Sequence, residues 1–494
     1  MVNPWKAFVD FFRTGPDRPP ADVPDATMRR NYERHRWSVF LSATLGYGLY
    51  YVCRINFSVV KKPMLDEGLL TATQMGLIGS ALLFGYAAGK LVNGFLADRV
   101  NIRRFMSIGL LASALLNLFL GFNPGFTVFL AAWGLNGWVQ SVGAPSSIVT
   151  MSHWFSPKER GSRYGVWCIS HNIGEGLTFV LTAFLVSSMG WQWGFWGPAL
   201  MCIATALVLY KTLADRPQTL GLPPVIEYKN DIAPMEKAEA SVGALQMEVL
   251  RNPAVWALGL SSAMMYVARY GVNNWGVLVL QEGKGHSMMD AGTILGIYSV
   301  SGLAGSFLSG IISDKFFGSR RNLPCFLFGL LQIASLTALY LAPPGHFWLD
   351  AAALTVFGFA MGVLVSFLGG LMAIDIVSPR AAGAAAGVVG MFSYIGAALQ
   401  DAASGWLIDV GRTVQEIPTD VSMDRLTAFC RAMGTDLSII VGPDRCIGTR
   451  TIAIKQVDYA FTDPFLFWIG ASVMSMLLAL AVWKAVDRAR GRVV

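Results

Sequence analysis

Two arginines carry the first chemical signal in this chain. Arg54 and Arg269 each lie inside a long apolar stretch, and each closes the same four-residue pattern. Tyr51-Val52-Cys53-Arg54 recurs 215 residues later as Tyr266-Val267-Ala268-Arg269. An arginine at the centre of a membrane helix costs about 2.5–3.5 kcal/mol on insertion scales, so two cost roughly 5–7 kcal/mol. A function must offset that cost. The planar guanidinium gives two charge-assisted hydrogen bonds at once, a geometry that suits phosphate. Five further ionisable residues interrupt apolar runs: Lys90, His171, Glu175, Asp375 and Asp401. Helical spacing places Tyr47, Tyr51 and Arg54 on one face. The pairs Tyr86/Lys90, Trp167/His171 and Tyr266/Arg269 follow the same rule. Four helices would thus each present an aromatic one turn before a cationic group, which predicts a positive, aromatic-lined cavity. The plainer readings stand beside this one. Aromatics at helical spacing are ordinarily packing, a buried arginine or Lys90 serves elsewhere in a structural ion pair, and His171 reads equally as a satisfied core histidine. Repeat-related placement is what favours a ligand for the two arginines.

The elements that must position these groups follow from composition. The 494 residues are 54% hydrophobic and 14% charged, with a mean hydropathy of +0.50. A soluble domain carries roughly 25% charge, so much of this chain has lipid as its solvent. Twelve apolar runs long enough to span a bilayer lie near 37–60, 74–97, 105–122, 126–151, 161–188, 192–212, 254–281, 291–313, 323–342, 347–377, 381–409 and 463–485. The net charge of +7 forms no basic domain, which excludes nucleic acid as a partner. Arg99, Arg103, Arg104, Lys158, Arg160, Arg163, Lys315, Arg320 and Arg321 sit instead in short connections, and the loops after spans 3, 5 and 9 hold no Lys or Arg. That asymmetry predicts both termini in the cytoplasm. Residues 1–36 form a polar cytoplasmic segment without a cleavable signal. The stretch 213–253 is a charged, proline-bearing linker between a six-helix bundle (37–212) and a second one (254–485), and 486–494 is a cytoplasmic tail.

A second repeat supports the division. Gly94-Phe-Leu-Ala-Asp98-Arg99 recurs after the eighth span as Gly310-Ile-Ile-Ser-Asp314-Lys315, offset by 216. Parallel repeats place a substrate site at their interface near the membrane midplane. The expected fold is therefore all-α, with twelve transmembrane helices in two pseudo-symmetric bundles. With its Gly-x-x-x-Asp-Arg/Lys loops, this resembles the major facilitator superfamily. Asp98, Arg99, Asp314 and Lys315 read as gating contacts rather than ligands.

More specific segments resemble the organophosphate:phosphate antiporter family of that superfamily. They are GYGLYYVCRINF (46–57), GKLVNGFLADR (89–99), GWVQSVGAP (137–145), HWFSPKERG (153–161), VWCISHNIGEG (166–176), DRPQTLGLPPVIEYKND (215–231), YVARYGVNNWG (266–276) and AAGAAAGVVGMFSYIGAAL (381–399). The resemblance implies phosphate-binding roles for Arg54 and Arg269, with Lys90 and His171 beside them. It implies a pocket walled by Tyr47, Tyr51, Tyr86, Trp138, Trp167, Tyr266 and Tyr394. It implies a bacterial inner-membrane transporter, active as a monomer, exchanging glycerol-3-phosphate or a sugar phosphate for inorganic phosphate. A sensor of external hexose phosphate that signals to a histidine kinase needs the same pocket and is the alternative. No enzyme, cofactor or metal is expected, since no nucleotide-binding loop, nucleophile–base constellation or metal-ligand spacing is present.

Departures from the family pattern concern the organic moiety. Ile55 and Asn274 stand where glycerol-phosphate relatives have Lys and Asp, so a presumed charge pair is lost together. Ser299 replaces a common Glu, while Glu175 stands where relatives have Gly. The helix-4 Trp-Pro-Pro of relatives is Ala144-Pro145-Ser146, and the charged pair of hexose-phosphate carriers in helix 11 is Ala398 and Ala402, with Asp401 nearby. We expect Glu175 to act as a mobile acid near Lys90 and His171, and Asp401 as a second coupling candidate. The connection 410–462 is long and polar, and its Cys430 and Cys446 are expected to form a disulfide.

Overall fold

The structure is a computed structural model and describes residues 10–19, 24–97, 99–123, 125–229, 247, 249–317, 321–372, 376, 382–417 and 454–483. Within these residues the chain forms twelve long helical units. The first bundle holds α1 (Asp25–Tyr50 continued by Val52–Asp66), α2 (Ala72–Ala97), α3 (Ile102–Leu120), α4 (Phe126–Gln140 continued by Gly143–Trp154), α5 (Pro157–Met189) and α6 (Trp193–Thr212). The second holds α7 (Pro253–Leu278), α8 (Met288–Ile311), α9 (Asn322–Leu341), α10 (Phe347–Ser366), α11 (Ala382–Val410) and α12 (Thr462–Ala481). Two strands, β1 (Arg412–Ile417) and β2 (Ile454–Tyr459), pair antiparallel at the root of the α11–α12 connection. Eight helices, namely α2, α3, α5, α6, α8, α9, α10 and α12, contain a stretch apolar enough to cross a membrane by length and composition. The others are the units that break in mid-span (α1, α4) or carry Arg269, Asn273 and Asn274 (α7) or Gln400 and Asp401 (α11).

The outer surface is inverted relative to a soluble protein. Leu115, Phe119, Phe184, Leu207, Phe307 and Leu477 are exposed, which fits a hydrocarbon solvent. Serine, asparagine and glycine face inward, where small residues let helix backbones approach. At the α2–α4 crossing a Cβ on Gly137 would lie 1.9 Å from the Leu82 carbonyl oxygen. The repeat-related α8–α10 crossing has the same design, since a Cβ on Gly362 would meet the Gly302 carbonyl oxygen at 2.1 Å.

The two bundles meet along α2–α11, α5–α8 and α1–α7. Polar contacts across this seam gather between the helix middles and the face carrying the α1–α2, α7–α8 and α11–α12 connections, called the far face below. There, Asp409 accepts from the backbone N–H groups of Ala72 and Thr73 at 3.2 and 2.6 Å. Lys62 of α1 pairs with Glu282, which follows α7. Toward the opposite, terminal face the cavity walls diverge: Lys90 is exposed, and a Cβ built on Gly94, Gly387 or Gly390 would meet no atom of the described residues within 4 Å beyond its own chain neighbours and helix backbone. The molecule is closed at the far face.

The predicted spans match these units with shifted ends. The first begins twelve residues earlier than 37 and ends six later than 60, because charged residues such as Glu33, Arg36, Lys61 and Lys62 lie on helix despite lowering local hydropathy. The linker contributes two short turns, Pro217–Leu220 and Val225–Tyr228. Tyr228 stacks on Tyr32 with 3.8 Å between ring centroids, tying the linker to the first bundle. Cys430, Cys446, Asp98 and Asp375, and the side chain of Asp314, lie outside the described residues. Arg99 and Lys315 are exposed.

Candidate functional site

Arg54 sits immediately after a break in α1. Cys53 leaves helical geometry (φ −91°, ψ 15°), and its carbonyl oxygen accepts two side-chain amides, Asn117 Nδ2 of α3 and Asn136 Nδ2 of α4, each at 3.0 Å. The clamp extends outward. Asn56 Nδ2 donates to Asn117 Oδ1 (2.9 Å) and to the Gly194 carbonyl (2.8 Å). Ser113 Oγ donates to Asn136 Oδ1 and accepts from Gln140 Nε2, both at 2.6 Å. Unpaired polar groups buried in a bundle are costly, so this network fixes the register of α1 and the direction of Arg54.

Arg54 is 6% exposed. Its Nη2 donates to the Tyr270 hydroxyl of the other bundle at 3.0 Å. Its Cζ lies 4.2 Å from the Tyr86 ring centroid, 5.3 Å from Tyr51 and 5.8 Å from Tyr394. The Arg269 Cζ lies 5.6 Å from the Tyr266 ring. Tyr266 stacks on Tyr270 (5.7 Å, 26°), and Tyr394 packs on Tyr86 at 4.9 Å. Both arginines line one cavity, whose wall also includes Tyr51, Lys61, Asn274 and Asp401. Arg269 further borders an adjoining cavity, with His171, Glu175 and Tyr298. Cation faces and phenol hydroxyls converging in a low-dielectric space attract an anion and orient its oxygens.

Glu175 lines one cavity with His171, whereas the expected neighbour Lys90 stands apart from it. The Glu175 carboxylate faces Arg269 at 3.8 Å, and no ion pair joins it to Lys90 or His171 among the described residues. Lys90 instead lies 5.3 Å from the Tyr394 ring, at the exposed mouth. The reason is direction: α5 presents Glu175 toward α7 and α8, where Tyr298 and Asn273 sit, whereas Lys90 is on α2, beside α11. Asp401 accepts from Trp275 Nε1 (2.6 Å) and Asn274 Nδ2 (2.9 Å) and lies 3.7 Å from Lys61 Nζ. It is seated over Gly79, where a Cβ would fall 1.6 Å from its Oδ2.

Of the predicted pocket aromatics, Tyr51 lines the main cavity, while Tyr86, Tyr266 and Tyr394 pack around the guanidinium groups. Tyr47 and Trp167 stack on each other (4.7 Å, 27°) behind Tyr51, and Tyr51 packs against His171 at 5.8 Å. Trp138 lines neither cavity. Sequence reasoning missed Lys61, Tyr270 and Asn273. Tyr270 carried a usable signal, being one turn after Tyr266. Lys61 carried another, being two turns after Arg54, but it falls just past the end drawn for the first span.

Comparison with known proteins agrees with this geometry. Residues 43–400 match the model of the Major Facilitator Superfamily. A probable hexose phosphate transport protein of Chlamydia pneumoniae is 33% identical over 83% of this chain and 92% of its own length. The glycerol-3-phosphate transporter of Bacillus subtilis is 35% identical over 78% of this chain and 89% of its own. The membrane sensor protein UhpC of Salmonella typhimurium is 32% identical over 78% and 88%. Among solved structures, a bacterial homologue of the human lysosomal transporter Spinster, in an inward-facing and unoccupied conformation, superposes with a TM-score of 0.68. It is 20% identical and covers 92% of this chain and 97% of that one, a likeness of fold.

Proposed function

We propose, from the premise that this chain belongs to the major facilitator superfamily and within it to the organophosphate:phosphate antiporter family, that it exchanges an organic phosphate ester for inorganic phosphate. One observation carries the reading: Arg54 and Arg269, from opposite bundles, line the same cavity.

Two unit positive charges about 10 Å apart repel by about 1.7 kcal/mol at an effective dielectric of 20. Bringing the bundles together around an empty site raises that repulsion. A phosphate oxyanion, whose second pKa is about 6, bridges the two guanidinium groups and lowers the barrier. Only the loaded carrier then crosses readily, which makes exchange obligate. Tyr270 links the arginine of one bundle to the other, so anion binding and bundle closure share a contact. No bond in the substrate is made or broken, and the cargo gradients drive the cycle. The basic connections set the terminal face toward the cytoplasm, in the inner membrane of a bacterium, and each monomer holds a complete site.

Arg54→Lys and Arg269→Lys keep the charge and remove the fork. In proteoliposomes each is expected to lower phosphate counterflow by a hundredfold or more. Retained exchange in both variants overturns the two-arginine site. Binding of a phosphate ester without counterflow in the unaltered protein supports instead the sensor reading, the role named for the relative UhpC.

A further inference from the structure

The main cavity has a second polar end that the phosphate site leaves unused. Lys61 follows Arg54 by seven residues on the same piece of α1, which places it on the same face and about 10 Å further along the axis. Both residues line the cavity. The Lys61 side chain is 1% exposed, and its ammonium has no hydrogen-bond partner among the described residues. It lies 3.4 Å from the Trp275 ring centroid and 5.5 Å from that of Phe57. Its distance of 3.7 Å to Asp401 Oδ1 exceeds hydrogen-bond range. Each oxygen of Asp401 already accepts one shorter hydrogen bond, one from Trp275 and the other from Asn274. The pair is therefore asymmetric: the carboxylate has a hydrogen bond on each oxygen, and the ammonium keeps donors to give.

Acceptors stand beside those donors. Asn274 spends its amide N–H₂ on Asp401, which leaves its carbonyl oxygen, and Ser58 Oγ donates to the Ile55 carbonyl (2.7 Å), which leaves its lone pairs. Both residues line the cavity. A group that accepts and donates, and carries no charge, fits this end. Asp401 already balances Lys61, so a second carboxylate would meet like charge.

We infer that Lys61, with Asn274 and Ser58, is a second anchor that binds hydroxyl groups at the end of the ester remote from the phosphate, selecting phosphorylated sugars of five or six carbons over three-carbon esters. The inference rests on the exchange reading for its phosphate end, and its test separates the two. Lys61 is a specificity residue drawn from one bundle and held in place by the other.

The experiment measures KM for phosphate, glycerol 3-phosphate and glucose 6-phosphate in phosphate-loaded proteoliposomes. The unaltered protein is compared with Lys61→Met, Lys61→Arg and the double variant Lys61→Met/Asp401→Asn, which leaves no lone buried carboxylate. The expected result is a rise of tenfold or more in the glucose 6-phosphate-to-phosphate KM ratio in both methionine variants. The glycerol 3-phosphate ratio should move less than threefold, and Lys61→Arg should stay within threefold of the unaltered protein. Parallel changes for all three ligands, loss of kcat with ratios kept, or no change at all would each overturn the anchor. So would a lower KM for glycerol 3-phosphate than for glucose 6-phosphate in the unaltered protein. Absence of counterflow in the unaltered protein defeats the exchange reading alone, and the same ratios, taken from calorimetric binding of the three ligands, then decide the role of Lys61.

Discussion

At the scale of single residues, the arginine pair is qualified by its neighbours. Glu175 stands 3.8 Å from Arg269 and competes with any anion for that guanidinium. Replacing it by glutamine keeps the shape and removes the charge. Phosphate affinity of Glu175→Gln should rise about tenfold, the equivalent of about 1.4 kcal/mol, as measured by calorimetric titration of phosphate into purified protein. Unchanged or weaker binding would mean that the carboxylate is neutral at working pH and acts only as a hydrogen-bond partner. The residues that a reader of the sequence finds first are those whose chemistry is costly where they stand: Arg54 and Arg269 declare themselves inside apolar runs. The partner of Glu175 was not legible, because spacing along α5 gives the face a side chain takes but not which helix lies opposite. Lys61 escaped for a different reason. Followed by Lys62 and Pro63, it reads as an interfacial charge, and only the packed α11 reveals it as buried.

At the scale of elements, the break in α1 decides where Arg54 points. The Cys53 carbonyl depends on two amide donors, and removing one leaves the other members of the network partly unpaired. Asn136→Leu should destabilise the protein by about 1–3 kcal/mol, read as a lower thermal unfolding midpoint in detergent, with a larger loss of phosphate affinity than a surface asparagine substitution gives. An unchanged midpoint would show that the break is held by helix packing alone. Hydropathy made the helices legible, since bilayer thickness sets their length. It could not reveal this clamp, whose members Asn56, Asn117, Asn136 and Gln140 lie on three helices and look like isolated polar interruptions until the bundle brings them together.

At the scale of the whole molecule, two similar halves meet along a seam that is tight at one face. The α2–α11 contact there requires glycine: a Cβ on Gly76 would approach the Asp401 backbone oxygen to 2.4 Å. Gly76→Val should wedge the far face apart and shift the population away from the closed arrangement. A cysteine placed at Glu282 would then react faster with a membrane-impermeant thiol reagent added from outside, while phosphate exchange falls at least tenfold. Equal labelling rates with and without the valine would mean that the seam absorbs the extra volume. The two-bundle plan was legible because the repeats at Arg54/Arg269 and Asp98/Asp314 share nearly one offset. Which face is shut was not, since a carrier of this kind has the same sequence in every state of its cycle.

The ladder between β1 and β2 has a consequence for how such a chain tolerates change. Ile417 and Ile454 stand opposite each other in register, so the polypeptide leaves α11 and re-enters α12 through neighbouring points. Whatever is inserted, trimmed or rewritten between those two positions, the exit and entry coordinates stay the same. The ladder thereby holds the end of α11 and the start of α12 at a fixed separation, whatever length of chain joins Ile417 to Ile454.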